Sequence, residues 1–232
     1  CTDLTVEASG QLYTANSTPG NNTYINVSGN ILCNGQIGNT PTFDNISFNI
    51  ESSNCTISGA GLFDACRLRK NGSAVVTTNL TINMNINLWF STSSATQLYN
   101  NSTNGVFNVT ISAGSTVNLL ANGASLGHAS IDGINGVINS SASTVDAGGT
   151  FTINGSLIVT GTMYFSNNNS NSTTYKCNWI VNGLLRVSEI SAGASANVNS
   201  GSSLTVNSGG KLEITGTNAW SSLSPTNNTF NF

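Results

Sequence analysis

The sequence predicts an all-β chain whose C-terminal part, from about Gly105, is a β-solenoid. Three observations support this. Apolar and polar residues alternate at period two in many separate stretches, the pattern of strands with one buried and one wet face. No stretch keeps a 3.6-residue period, because Gly and Asn interrupt every candidate helix. Beyond Gly105 the alternating segments are short and separated by Gly, Ser and Asn. Gly and Asn tolerate the left-handed backbone angles that tight solenoid corners require.

The elements follow in order from the N-terminus. Leu4 and Val6 alternate with polar neighbours and predict an opening strand. The same period marks residues 24–28, then residues 44–50 through Ile46, Phe48 and Ile50. The clearest strand spans residues 79–89, where Leu80, Ile82, Met84, Ile86 and Leu88 alternate with polar residues throughout. Phe107, Val109 and Ile111 predict another over 106–111. Shorter pairs follow at Phe151 and Ile153, Leu157 and Val159, Leu185 and Val187, Leu204 and Val206, and Leu212 and Ile214. Phe230 and Phe232 predict a closing strand. A Gly-x-apolar step recurs at Gly105, Gly136, Gly155, Gly183 and Gly210, with intervals of 31, 19, 28 and 27 residues that suit solenoid coils. The chain therefore divides into an N-terminal β region with a disulfide-bonded loop (1–104), solenoid coils (105–220) and a tail or interface strand (221–232).

At these repeats the chain resembles secreted right-handed parallel β-helix proteins, a class of surface adhesins, coat proteins and polysaccharide lyases. The resemblance lies in the style of repeat from residue 105 onward. A pilin-like β-sandwich with strand exchange is the alternative, and residues 44–50 and 79–89 suit it as longer antiparallel strands.

Only 6% of residues are charged and the net charge is -3. That excludes a basic nucleic-acid face and a polybasic lipid contact. No apolar run approaches the roughly 20 residues of a membrane-spanning helix, and the chain reads as mature, with any targeting segment removed. Five cysteines, Cys1, Cys33, Cys55, Cys66 and Cys177, fit no zinc spacing. Disulfides in an oxidising compartment are expected, first Cys55 with Cys66, then Cys1 with Cys33. Cys177 is left as a free or intersubunit thiol, and Cys1 has a lipid anchor as its alternative.

A sugar-coated extracellular surface is the main functional expectation. Fifteen Asn-x-Ser/Thr sequons place acceptors at Asn16, Asn21, Asn26, Asn45, Asn54, Asn71, Asn79, Asn100, Asn101, Asn108, Asn139, Asn154, Asn168, Asn171 and Asn227. With 37 Asn and 61 Ser plus Thr, shuffling alone gives roughly 10 such tripeptides, so phase matters more than number. In the sequons at Asn26, Asn45, Asn79 and Asn108 the middle residue is apolar and the two polar ones point outward. Outward positions rich in Asn, Ser and Thr produce the same phase without selection for glycans.

Nothing in the sequence marks catalysis. The nine acids are dispersed and no motif pairs two of them as glycoside hydrolysis requires. His128, the only histidine, reads as a turn residue, and Lys211 with Glu213 as a surface ion pair. Arg67, Arg69 and Lys70 read as a solvated loop held by the Cys55–Cys66 bond, or as a contact for acidic sugar. The expected function is a non-enzymatic structural subunit of an extracellular, N-glycosylated filament or surface coat, needing no cofactor. Copies of the chain would join head to tail through terminal strands containing Leu4, Val6, Phe230 and Phe232. In composition it is similar to heavily glycosylated archaeal surface filaments. The alternatives are a carbohydrate-binding adhesin using Trp179, Trp220 and Tyr175, and a polysaccharide lyase or hydrolase using the Arg67 cluster.

Overall fold

A computed structural model describes residues 1–14, 23–38, 46–65, 67–70, 77–90, 98–100, 106–121, 149–164, 177–191, 203–216, 220–221 and 229–232. The described residues contain strands and corners but no helix. The first coil holds β1 (Leu4–Val6), β2 (Gln11–Leu12) and β3 (Thr23–Val27). The second holds β4 (Ile31–Cys33), β5 (Gln36–Ile37) and β6 (Ile46–Ile50), and the third β7 (Asn54–Ser58), β8 (Leu62–Ala65) and β9 (Arg67–Lys70). The fourth holds β10 (Thr77–Asn83), β11 (Ile86–Phe90) and β12 (Leu98–Asn100). Pairs follow: β13 (Val106–Ile111) with β14 (Thr116–Ala121), β15 (Gly149–Ile153) with β16 (Ser156–Tyr164), and β17 (Cys177–Val181) with β18 (Leu184–Ser191). The chain closes with β19 (Ser203–Val206), β20 (Lys211–Ile214), β21 (Trp220–Ser221) and β22 (Thr229–Asn231).

All these strands pair in parallel, each with the equivalent strand one coil away. One sheet runs β1-β4-β7-β10-β13-β15-β17-β19-β22 and a second runs β2-β5-β8-β11-β14-β16-β18-β20. The first four coils add a third wall, ordered β12-β9-β6-β3. This is the right-handed parallel β-helix expected from the sequence, with the hand that nearly all parallel crossovers take.

Parallel register stacks equivalent residues, so the core is a set of columns. In the first sheet Ile31, Ile57, Ile82, Ile111, Ile153 and Val181 form one column, all buried. Beside it run Cys55, Leu80, Val109, Phe151, Trp179 and Leu204. Trp179 is fully buried and stacks on Phe151 with ring centroids 4.4 Å apart and planes inclined by 21°, an aromatic contact that adds to area burial. The opposite wall contributes Val117, Leu157 and Leu185, and Leu119, Val159 and Val187.

Corners hold the coils close together. Asn-Gly steps at 34–35, 154–155 and 182–183 bend the chain between the two main sheets, and a Cβ on Gly183 would sit 2.0 Å from Gly155 O. At Gly59 the same crowding, 1.9 Å from Cys33 O, coincides with φ +132, so both space and backbone angle demand glycine.

Several expectations are corrected. Residues 44–50 and 79–89 are not sandwich strands, because β6 pairs in parallel with β3 and β9, and β10 with β7 and β13. The long strand expected over 79–89 breaks into β10 and β11 at residues 84–85. Its period survives because Met84 stays buried through the corner while Asn85 faces out and accepts the Thr116 N–H. The solenoid also includes the residues before 105, since the β10–β13 ladder crosses that position.

Core columns of this kind predict a large local cost for truncation. Trp179→Ala is expected to destabilise the fold by about 3–5 kcal/mol, measured as a lowered urea midpoint at unchanged slope.

Candidate functional site

The outer face of the first sheet carries the strongest candidate. Successive rungs present a polar–apolar–polar triplet in register: Asn54-Cys55-Thr56, Asn79-Leu80-Thr81, Asn108-Val109-Thr110 and Thr150-Phe151-Thr152. The apolar member enters the core, while the outer members stack as an Asn column and a Thr column. Asn108 Nδ2 donates to Asn79 Oδ1 at 2.9 Å, and Asn79 Nδ2 donates to Asn54 Oδ1 at 3.1 Å. Asn108 Oδ1 in turn accepts the Thr150 N–H at 3.0 Å. Three sequons are thus one rung motif repeated.

Two further amide ladders were not singled out in the sequence. Asn207 Nδ2 donates to Asn182 Oδ1 at 2.7 Å, and Asn182 Nδ2 to Asn154 Oδ1 at 2.8 Å, along one corner. On the second sheet Asn118 Nδ2 donates to Asn87 Oδ1 at 2.9 Å, and Asn87 Nδ2 to Asp64 Oδ1 at 2.6 Å. The signal available was Asn recurring at the coil interval on outward positions. Each such bond contributes about 0.5–1.5 kcal/mol net.

Of the sequon asparagines, Asn26, Asn54, Asn79 and Asn154 are exposed and Asn108 is half-buried. Asn100 lies in β12, with its side chain outside the described set. Asn16, Asn21, Asn45, Asn71, Asn101, Asn139, Asn168, Asn171 and Asn227 lie outside the described residues.

The cysteine expectations are corrected. Cys1, Cys33 and Cys55 are free thiols. Cys1 is exposed beside Asn26 O, whereas Cys33 is buried with its Sγ 3.3 Å from Leu62 O, so the two occupy different environments and do not bridge. Cys55 faces the core column between the sheets and is not bridged either; Cys66 lies outside the described residues. Cys177 begins β17, with its side chain outside the described set. Burial, with a smaller push from the Asp3 charge, raises the Cys55 thiol to about 12. Burial also raises Cys33, partly offset by a backbone hydrogen bond at Ile37.

Arg67, Arg69 and Lys70 are not a solvated loop; they form β9 in the third wall. Lys70 points inward in register with Ile50, fully buried, and desolvation lowers its pKa. Arg69 Nε donates to Asn49 Oδ1 at 2.6 Å, Asn49 Nδ2 donates to Asn26 Oδ1 at 2.6 Å, and the guanidinium lies 4.3 Å from the Tyr24 ring centroid. Ser47 Oγ and Arg67 Nε, on register-paired residues, are buried without a hydrogen-bond partner. Glu213 pairs with Lys211 and with Arg186, whose Nε lies 2.5 Å away. Hydrogen bonds from Lys211, then Arg186, hold its carboxyl below the usual carboxylate range.

The aromatic residues proposed for sugar contact divide differently. Trp179 is in the core and presents nothing to a ligand. Trp220 lies in β21, its side chain outside the described set, and Tyr175 and His128 lie outside the described residues. Among the described residues, no group of three or more His, Cys, Asp and Glu is placed to hold a metal.

The terminal strands occupy opposite edges of the same sheet: among the described residues β1 pairs only with β4, and β22 only with β19. Leu4 is half-buried, Val6 is buried and Phe232 is exposed; Phe230 pairs in register with Leu204. No family model, curated protein or solved structure matches the chain.

Removing Asn79 from the middle of its stack breaks two ladder bonds and the bond from its amide to Ser53 O. Asn79→Ala is therefore expected to cost about 1–2 kcal/mol, read by urea denaturation, whereas Asn207→Ala, at the last rung of its ladder, costs less. The buried thiols give a pH signature with a definite sign. Their folded pKa lies above the unfolded one, so the stability they lend is complete below pH 9 and is lost as pH rises towards about 12. The urea midpoint should fall over that window, and fall less in Cys55→Ala. Alkylation of the folded chain at pH 8 should label Cys1 and spare Cys33 and Cys55.

Proposed function

We propose that the chain is a non-enzymatic structural subunit of an extracellular, N-glycosylated filament or surface coat, assembled head to tail from identical copies. One observation carries this reading. The two edge strands of a nine-stranded parallel sheet, β1 and β22, run in the same direction at opposite ends. A second copy adding its β1 to β22 continues the sheet without reversing it. Such a contact is heterologous and leaves the same two edges exposed again, so it propagates as a fibre.

The chemistry of the edge supports addition. The Leu4 N–H bonds Asn30 O, and Val6 O accepts from Asn34. Because amides alternate along a strand, the Thr5 N–H and C=O point to the open side. The low charge of the chain fits as well, since exposed edges are commonly blunted by charged side chains, and β1 and β22 contain none.

Thr5→Pro tests the reading, because it removes the outward donor while leaving the β1–β4 bonds in place. Electron microscopy and sedimentation should show polymers for the native sequence and monomers for Thr5→Pro, with both chains melting at similar temperatures. Deleting residues 1–8 should have the same effect. Normal polymers from both variants would rule out β1 as the connector.

A further inference from the structure

The strand-borne sequons and the amide ladders use the same atom. N-glycosylation joins asparagine Nδ2 to the anomeric carbon of a phosphate-activated sugar. The C–N bond forms, the anomeric C–O bond breaks, the phosphate leaves with that electron pair, and Nδ2 gives one proton to a base of the transferase. The acceptor amide must therefore leave its partners, and its tripeptide must come away from the sheet.

The five sequon asparagines with described side chains fall into two groups. Asn79 donates Nδ2 to Asn54 Oδ1 at 3.1 Å and to Ser53 O at 3.3 Å, while its Oδ1 accepts from Asn108. Asn108 is held at both ends by Asn79 and the Thr150 N–H. Both lie within β10 and β13, strands paired on two sides. Asn26, Asn54 and Asn154 instead begin their ladders. Each offers Oδ1 to the next rung, to Asn49, Asn79 and Asn182 respectively, and among the described residues none sends Nδ2 to an earlier rung. The Asn54 amide nitrogen meets Ser53 Oγ at 3.4 Å, a weak contact.

The backbone divides them in the same way. Asn26 lies in β3, an edge strand of the third wall; Asn54 is the first residue of β7 and is itself register-paired on one side only, with Asn79, because β4 pairs β7 at Ile57 and Ser58; Asn154 sits in the corner after β15. We infer that Asn26, Asn54 and Asn154 are the glycan acceptors of this set, and that Asn79 and Asn108 are silent sequons whose amides belong to the ladder. Spacing acts in the same direction, because neighbouring rungs lie about 4.8 Å apart, less than the width of a sugar ring. A glycan on Asn54 crowds the same outward position one rung away at Asn79. This selection of sites rests on the glycosylated-surface reading and adds which positions are used.

The test compares the folded chain, produced without glycans, with the same chain in urea. Both are treated with a soluble sequon-specific N-glycosyltransferase and its nucleotide-sugar donor, and occupancy is read by peptide mass spectrometry. In the folded chain Asn26, Asn54 and Asn154 should be modified at least tenfold more than Asn79 and Asn108, and that preference should vanish in urea. Asn79→Ser, which frees no second sequon but removes the ladder partner of Asn108, should raise modification at Asn108 in the folded chain. Equal modification of all five sites in the folded chain overturns the inference, and so does a preference that persists in urea, which would reflect local sequence. Absence of glycan from protein recovered from its native surface would remove the glycoprotein reading and leave the measured accessibility order intact.

Discussion

Parallel in-register stacking is the constraint on which the rest of this structure depends. Once a residue on one rung is fixed, its equivalent lies about 4.8 Å above it, in the same environment and facing the same way. Stacked inward positions favour apolar residues, which makes the Ile31-to-Val181 column and the column containing Trp179, with Lys70 in the third wall as an exception. An outward position must tolerate its own kind as a neighbour. Stacked charges would repel, whereas stacked amides donate to one another, so Asn is well suited there. The scarcity of charge and the abundance of Asn, which stand out first in the composition, both follow from this geometry.

The same geometry explains how much was legible in the sequence. Inward residues were readable because period two reports the face directly, and Leu80, Ile82, Val109, Ile111, Phe151, Ile153, Leu185 and Val187 all lie in the core. Corners were harder. A corner that keeps Met84 buried preserves the alternation, so residues 79–89 read as one strand although the chain turns at 84–85. The third wall was missed because charge in β9 resembles a loop, while its alternation, with Leu68 and Lys70 inward, includes a buried lysine that no hydropathy pattern identifies. Equal coil length was blurred too: the register partners Ile57 and Ile82 lie 25 positions apart in sequence, but Ile111 and Ile153 lie 42 apart.

At the candidate site, phase was readable and chemistry was not. The sequence places the polar members of the Asn79 and Asn108 sequons outward, and the structure agrees. What it does not carry is that the two amides meet across rungs, since equivalent positions are recognisable only after register is known. A sequon on a strand of this protein can therefore arise from stacking alone, as a step of an amide ladder. Cys1 and Cys33 do not pair because they face differently: Cys33 enters the core, as Cys55 does, while Cys1 stays outside.

If copies join through β1 and β22 as proposed, their rungs stack along the axis of the resulting polymer. X-ray fibre diffraction from oriented polymers measures that directly. Strands perpendicular to the fibre place the roughly 4.8 Å reflection on the meridian, and nine rungs per copy at that spacing set an axial repeat of roughly 43 Å. A meridional 4.8 Å reflection with that repeat is the predicted result. A 4.8 Å reflection on the equator, from strands running along the fibre as in strand-exchanged sandwiches, would contradict the account.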